Sequence, residues 1–189
     1  MNKEGSLTAR MYTSGYPLTC RLGFQKIENG TYESGDHAKY ADGIPFPVLN
    51  YVKTNHLCAS TGEHSIAVVF NFEHVGNGEY ITTSADGNFF PGHYLGITSH
   101  GHVNAYKSRE KKEQFSFKKN GKYLTLSDIT GNVVSDLEMI CKDGEIELYN
   151  KIVLEPSAGR QWSAFVRTVS GSVGLVGKNI TLRIEERNV

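Results

Sequence analysis

Three times along this chain an apolar or aromatic run ends in the same signature, Asn-Gly-x-Tyr. Phe24 to Glu28 leads into Asn29-Gly30-Thr31-Tyr32, Phe70 to Gly76 into Asn77-Gly78-Glu79-Tyr80, and Phe115 to Lys119 into Asn120-Gly121-Lys122-Tyr123. Asn and Gly reach positive φ at the least cost, so each pair suits a tight turn between antiparallel strands. The tyrosine then opens the next strand. The three Asn residues stand 48 and 43 positions apart. Such spacing predicts a fold built by repeating one hairpin unit.

Weaker echoes support the repeat. Glu4-Gly5-Ser6-Leu7-Thr8-Ala9 matches His100-Gly101-His102-Val103-Asn104-Ala105, and Gln161-Trp162-Ser163-Ala164-Phe165 echoes Gln114-Phe115-Ser116-Phe117 at 47 residues' distance. Strand signals recur between Gly, Asn and Asp turns, as in Ser65 to Phe72, Lys122 to Leu126 and Glu145 to Tyr149. The last alternates strictly, which predicts one buried and one wet face. Asp143-Gly144 just before it predicts a two-residue hairpin turn. No segment keeps a helical apolar period for three turns. The best charged candidate, Lys107 to Glu113, has no apolar face.

Composition narrows the class. The chain has 189 residues, 39% of them hydrophobic and 11% aromatic, which excludes a disordered polymer. Its formal net charge is zero, which argues against wholesale binding to nucleic acid or membrane surfaces but leaves room for a local patch. No run approaches the roughly 20 apolar residues a transmembrane helix needs. The start, Met1 to Ser6, is polar and lacks a secretory apolar region. Cys20, Cys58 and Cys141 are odd in number and far apart, so they read as buried free thiols in a reducing compartment. The expected location is cytoplasmic, or outside the cell by a route not written in the sequence. No linker separates the units, so residues 1–189 read as one domain.

Some of these residues resemble a known family. Tyr94 to Ala105 followed by Glu113 to Phe117, and again Gly121 to Val133, resemble fascin-type β-trefoil repeats, in which a Tyr-Leu strand, a Gly turn and a Val strand build each hairpin. Gln161-Trp162-Ser163 is loosely similar to the ricin-B-type trefoils. Asn2 to Leu7, Cys20 and Asn29 to Tyr32 look a little like the fibroblast growth factors. The better match spans about residues 94–135. The resemblance implies an all-β fold, a β-trefoil barrel built of three pseudo-repeats, and poorly constrains function. Closing three hairpin units into a barrel also leaves no exposed sheet edge, and one Phe or Tyr per unit would meet on the pseudo-threefold axis. Another antiparallel barrel or sandwich, and a four-bladed propeller, are the alternatives.

Nothing in the chain demands an enzyme. Gly-x-Ser-x-Gly is absent, and Gly174-Leu175-Val176-Gly177-Lys178 is followed by Asn179 where a phosphate-binding loop needs Ser or Thr. His100 and His102, with His93, would suit zinc on an extended strand, but Gly101 between them predicts a turn that parts them. No metal and no cofactor is expected.

Binding is the expected activity. Sugar sites combine a carboxylate, an amide and an aromatic face, because carboxylates and amides fork onto hydroxyls while rings cover C–H surfaces. Asp86, Asn88 and Tyr94 form one such set and Asp128 with Asn132 another, with His102 as a further hydrogen-bonding group. Asp36, His37 and Tyr40 have the same character. Lys107, Arg109, Lys111, Lys112, Lys118, Lys119 and Lys122 carry seven positive charges against Glu110 and Glu113, a net +5 over sixteen residues. That stretch suits an acidic surface such as actin, a sulfated glycan or an anionic lipid. Phe115 and Phe117 read as core, so sequence-specific nucleic-acid binding is not expected. The first expectation is a carbohydrate-binding, lectin-like module for a glycan or glycoprotein. A fascin-like or polyanion-binding module is the second, and a loop-based protease inhibitor using Gly43 to Pro47 the third.

Overall fold

Positive φ at Asn77-Gly78 and Asn120-Gly121 marks tight reversals that join strands, while Asp136, at 60°, bulges within a strand. The computed structural model describes residues 5–14, 19–30, 48–62, 64–154, 161–168 and 179–188. Thirteen strands run through the described residues: β1 (Ser6–Ser14), β2 (Arg21–Gly30), β3 (Val48–Ser60), β4 (Val69–Gly76), β5 (Glu79–Ser84), β6 (Tyr94–Ile97) and β7 (Val103–Tyr106) in the first part of the chain. Then follow β8 (Gln114–Lys119), β9 (Lys122–Tyr123), β10 (Val133–Cys141), β11 (Gly144–Leu154), β12 (Gln161–Thr168) and β13 (Asn179–Asn188). A 3-10 turn at Arg109–Lys111 stands before β8. Among the described residues no helix is long and apolar enough to cross a membrane.

The sheet closes on itself. Ten strands form a ring in the order β11, β12, β3, β7, β6, β5, β4, β1, β13, β10, and β10 pairs back onto β11. The remaining strands attach to it: β2 pairs with β1 and β3, and β8 with β10 and β5. The protein is therefore an all-β closed barrel with extra strands. A shorter circuit lies within these pairings. β1 pairs with β4, β4 with β5, β5 with β8, β8 with β10, β10 with β13, and β13 with β1. Three hairpins, β2–β3, β6–β7 and β11–β12, lie outside that circuit. They touch one another through β12–β3, β3–β7 and a bridge from His102 to Arg167.

Period-2 alternation supplies the core. Phe70 and Phe72 on β4 and Phe115 and Phe117 on β8 are fully buried, as are Leu7, Ala9 and Met11 on β1. Ring centroids link Phe24 to Phe70 at 5.9 Å, Phe72 to Phe117 at 5.5 Å and Phe117 to Tyr80 at 5.6 Å. β13 adds Ile180 and Leu182 to the buried set, so aliphatic side chains pack beside the aromatic cluster.

Two of the three Asn-Gly pairs form the expected turns. Asn77 and Gly78 have φ of 55° and 74°, and Asn120 and Gly121 have 49° and 81°. Both turns are two residues long, between Gly76 and Glu79 and between Lys119 and Lys122. Asn29 and Gly30 differ: they end β2, and Thr31 and Tyr32 lie outside the described residues. The other echoes fall on unlike elements. Ser6 to Ala9 is in β1 while Val103 to Ala105 is in β7, and Gln161 begins β12 while Gln114 begins β8.

Several strand readings change in detail. Ser65 to Val68 is not strand, and β4 starts at Val69. Tyr94 to Tyr106 forms a hairpin as the resemblance implies, with Leu95 opposite Ala105. Gly121 to Val133 does not, because β9 and β10 both pair with β8 rather than with each other. The turn before β11 consists of Lys142 and Asp143, one residue earlier than expected, since Cys141 pairs with Gly144. The polar face of Glu145 to Tyr149 is not wet throughout: Glu147 is 2% exposed, covered because Arg167 stands opposite it on β12.

Candidate functional site

The turn at Asn77–Gly78, the start of β8 and the end of β10 converge because β5 and β10 both pair with β8. Glu79 stands opposite Ser116, and Ser116 opposite Ile140. The short strand β9 folds Tyr123 back over Lys118. Between them lies a cleft of ≈ 340 Å³. Tyr123, 52% exposed, lines it, the Lys118 ammonium lying 5.6 Å from its ring centroid. Asn77 and Gln114 bring exposed amides, Glu79 a half-buried carboxylate and Ser116 a hydroxyl.

The floor is charged but balanced. Glu113 is 8% exposed, and its Oε2 accepts from Lys142 Nζ at 3.1 Å while its Oε1 accepts from the Gln114 N–H at 3.2 Å. Hydrogen bonding to Glu113 raises the Lys142 ammonium above its ordinary pKa, so it stays charged at neutral pH. Cys141 closes the floor, its thiol pushed up by burial and therefore unreactive. A flat aromatic face, two amides, a hydroxyl and a carboxylate are groups that grip a ring bearing hydroxyls.

The sites expected from sequence fall elsewhere. Asp86 and Asn88 lie in the loop after β5, where Asp86 Oδ1 accepts from the Asn88 N–H at 2.9 Å and the Asn88 carbonyl accepts from Lys53 Nζ at 2.9 Å. Lys53 also stands 4.6 Å from the centroid of Phe90. Tyr94 opens β6 where that loop closes, half-buried opposite Tyr106. Asp128 turns inward on its own loop: Oδ2 accepts from Thr125 N and Oγ1, and Oδ1 from Lys122 Nζ. Asn132 is exposed, and its carbonyl accepts from the Ile184 N–H at 2.8 Å.

His100 and His102 part across the turn at Gly101, which has φ of 83°. His100 is exposed beside Ser99, whereas His102 packs on His56 with ring centroids 5.4 Å apart. Asp36, His37, Tyr40, the Gly43 to Pro47 loop and Gly174 to Lys178 lie outside the described residues.

The basic stretch does not form one patch. Lys107, Arg109 and Lys111 are exposed and Lys112 half-buried around the 3-10 turn before β8. Lys118 and Lys119 are half-buried at its far end, about 20 Å away at the usual rise per strand residue. Lys122 is spent on Asp128. The approach of residues 107–113 to β6 depends on Gly96: a Cβ there would lie 2.0 Å from the Lys111 carbonyl oxygen.

Sequence reasoning passed over the cleft residues. Asn77 and Tyr123 sit in the repeated signature and Gln114 in an echo of it, but each read as a turn or strand former. Only pairing through β8 brings them together. No protein-family profile matches the chain, and comparisons with curated proteins and with solved structures find no significant match.

Proposed function

We propose that this protein is a non-catalytic carbohydrate-binding module of β-trefoil fold, with the Tyr123 cleft as its site. The trefoil reading is supported by the six-strand circuit, joined by three hairpins that touch pairwise. The observation that carries the ligand class is Tyr123, an exposed ring beside the Glu79 carboxylate and the Asn77 and Gln114 amides. A pyranose lies with its C–H face on the ring while the carboxylate and amides take its hydroxyls. With Glu113 balanced by Lys142 and Glu79 offset by Lys118 beside the Tyr123 ring, the cleft carries no net charge, which favours neutral sugars over sulfated ones.

A glycan array run at low and high salt tests this. Binding that survives salt, is displaced by free sugar and is lost in Tyr123→Ala supports the proposal. An array blank at both salts, or binding unaffected by Tyr123→Ala, overturns it.

A second reading rests on the exposed Lys107, Arg109 and Lys111, which suit an acidic partner such as actin, a sulfated glycan or an anionic lipid. It predicts binding that falls steeply with salt and with Lys111→Glu.

A further inference from the structure

The same chemically labile pair, Asn-Gly, occupies two matching turns of this fold in unlike surroundings. Asn77-Gly78 joins β4 to β5, and Asn120-Gly121 joins β8 to β9. A glycine after an asparagine has no side chain to shield its backbone nitrogen, which can then reach the asparagine's own side-chain carbonyl carbon. The third pair, Asn29-Gly30, ends β2, and the residue after it lies outside the described residues, so the comparison rests on the other two.

Packing separates the two turns. Asn120, Gly121, Lys122 and Tyr123 are all exposed, and a Cβ on Gly121 would meet nothing within 4 Å. Gly78 is buried: a Cβ there would lie 3.1 Å from the Leu124 carbonyl oxygen and 3.8 Å from Tyr123 Cβ. The strands beside the turns differ as well. β9 is two residues long, pairs with β8 alone and ends the sheet. β4 and β5 pair with each other from Phe70 and Ser84 up to the turn, and β4 is further held by β1 and β5 by β8. Ring closure requires the asparagine to leave its turn conformation, so the turn must open locally first. Opening at Asn120 releases only a short edge strand, whereas opening at Asn77 disturbs a ladder bound on both sides.

We propose that Asn120 is a site of spontaneous deamidation whose isoaspartate product displaces Tyr123, while Asn77 is kept intact by its packing. The Gly121 backbone nitrogen, having lost its proton to a base in the solvent, attacks Asn120 Cγ. A C–N bond forms, the bond from Cγ to the amide nitrogen breaks, and that nitrogen takes up a proton and leaves as ammonia. Water then opens the succinimide ring at either carbonyl, giving aspartate or isoaspartate. The net change is amide plus water to carboxylate plus ammonium, with no oxidant or reductant.

The charges around the turn favour the product. Lys118, Lys119 and Lys122 flank it, and Asp128 offsets only Lys122, so the new carboxylate enters positive surroundings. Isoaspartate routes the main chain through the former side chain and lengthens it by one methylene. A two-residue turn so lengthened no longer sets Lys119 opposite Lys122 or Tyr123 opposite Lys118. The ring of Tyr123, which lines the cleft, moves with β9. This consequence holds whatever the cleft binds.

The test incubates the full chain in mildly alkaline buffer, folded and in denaturant, and follows amide loss at each asparagine by peptide mapping. Asn120 is expected to convert at least about tenfold faster than Asn77 in the folded chain, and at a similar rate in denaturant, where packing no longer distinguishes them. Conversion at Asn120 should slow in mildly acidic buffer, because the attacking nitrogen must be deprotonated. Enzymatic methylation of isoaspartyl carboxylates identifies the product, and ion exchange separates it by its added charge. In that product the ring resonances of Tyr123 should shift while those of the buried Tyr80 stay. Equal loss at both turns of the folded chain, a rate gap that persists in denaturant, or a product with unmoved Tyr123 resonances overturns the proposal.

Discussion

The hydroxyl of Tyr80 donates to the carbonyl oxygen of Leu124 at 3.3 Å, in a place sealed from solvent. The bond ties the start of β5 to the residue that follows β9, so the two Asn-Gly-x-Tyr turns are joined to each other. Burial raises the Tyr80 phenol above its ordinary pKa, which keeps it a donor at every physiological pH. The corresponding residue of the next signature, Tyr123, points the other way and stays 52% exposed.

Tyr80→Phe keeps the ring and removes the donor, leaving the Leu124 carbonyl without this bond. The expected loss is about 1 kcal/mol, read from chemical denaturation midpoints at unchanged slope. Tyr123→Ala removes a ring on the surface and should change stability by no more than about 0.5 kcal/mol.

Asp128 holds its loop through Lys122 and both donors of Thr125, and these bonds keep its carboxyl well below the usual carboxylate range. Its folded pKa lies below its unfolded one, so the unfolded chain binds the proton more readily. The stability it contributes is complete above about pH 4 and is lost as pH falls toward the folded value. Asp128→Asn should melt below wild type at neutral pH, and the two melting curves should converge in acid. A gap that stays constant with pH would count against this account.

Gly96→Ala places a methyl group 2.0 Å from a backbone oxygen of Lys111. A backbone clash is relieved only by moving the segment, at a cost of about 1–3 kcal/mol. Amide shifts should change across residues 107–113, and the Glu113 N–H should exchange faster because its bond to the Leu95 carbonyl, 2.9 Å long, is disturbed. Unchanged exchange at Glu113 would show that the segment does not depend on this approach.

Cys20, Cys58 and Cys141 are buried thiols, and burial raises the Cys58 thiol to about 12. A thiol reagent at neutral pH should label none of them in the folded protein and all of them in denaturant. Fast labelling of the native chain would contradict the packing around β2, β3 and β10.

Much of the fold was legible because short-range stereochemistry writes it. Asn77-Gly78 and Asn120-Gly121 adopt positive φ because their own side chains permit it, and the alternation in Phe70-Asn71-Phe72 and Phe115-Ser116-Phe117 dictates which residues go inside. The burial of the three cysteines follows from the same residue preferences.

Tertiary pairing decided the rest. The Asn29-Gly30 signature is identical in letters to the other two, yet it ends β2 against β3, because strand partners and not the turn residues set its place. The charge of Lys107 to Lys122 is contiguous in sequence but split in space, because an extended β8 separates its ends. Glu147 sits in an alternating pattern that reads as wet, and becomes buried because β12 brings Arg167 opposite it. The Tyr123 cleft and the His56–His102 pair likewise join residues 46 positions apart, from Asn77 to Tyr123 and from His56 to His102. Sequence by itself determined the all-β class, two of the three Asn-Gly turns and the apolar residues of the core. Contacts between distant strands determined the sites, because a strand's own residues specify its faces but not its neighbour.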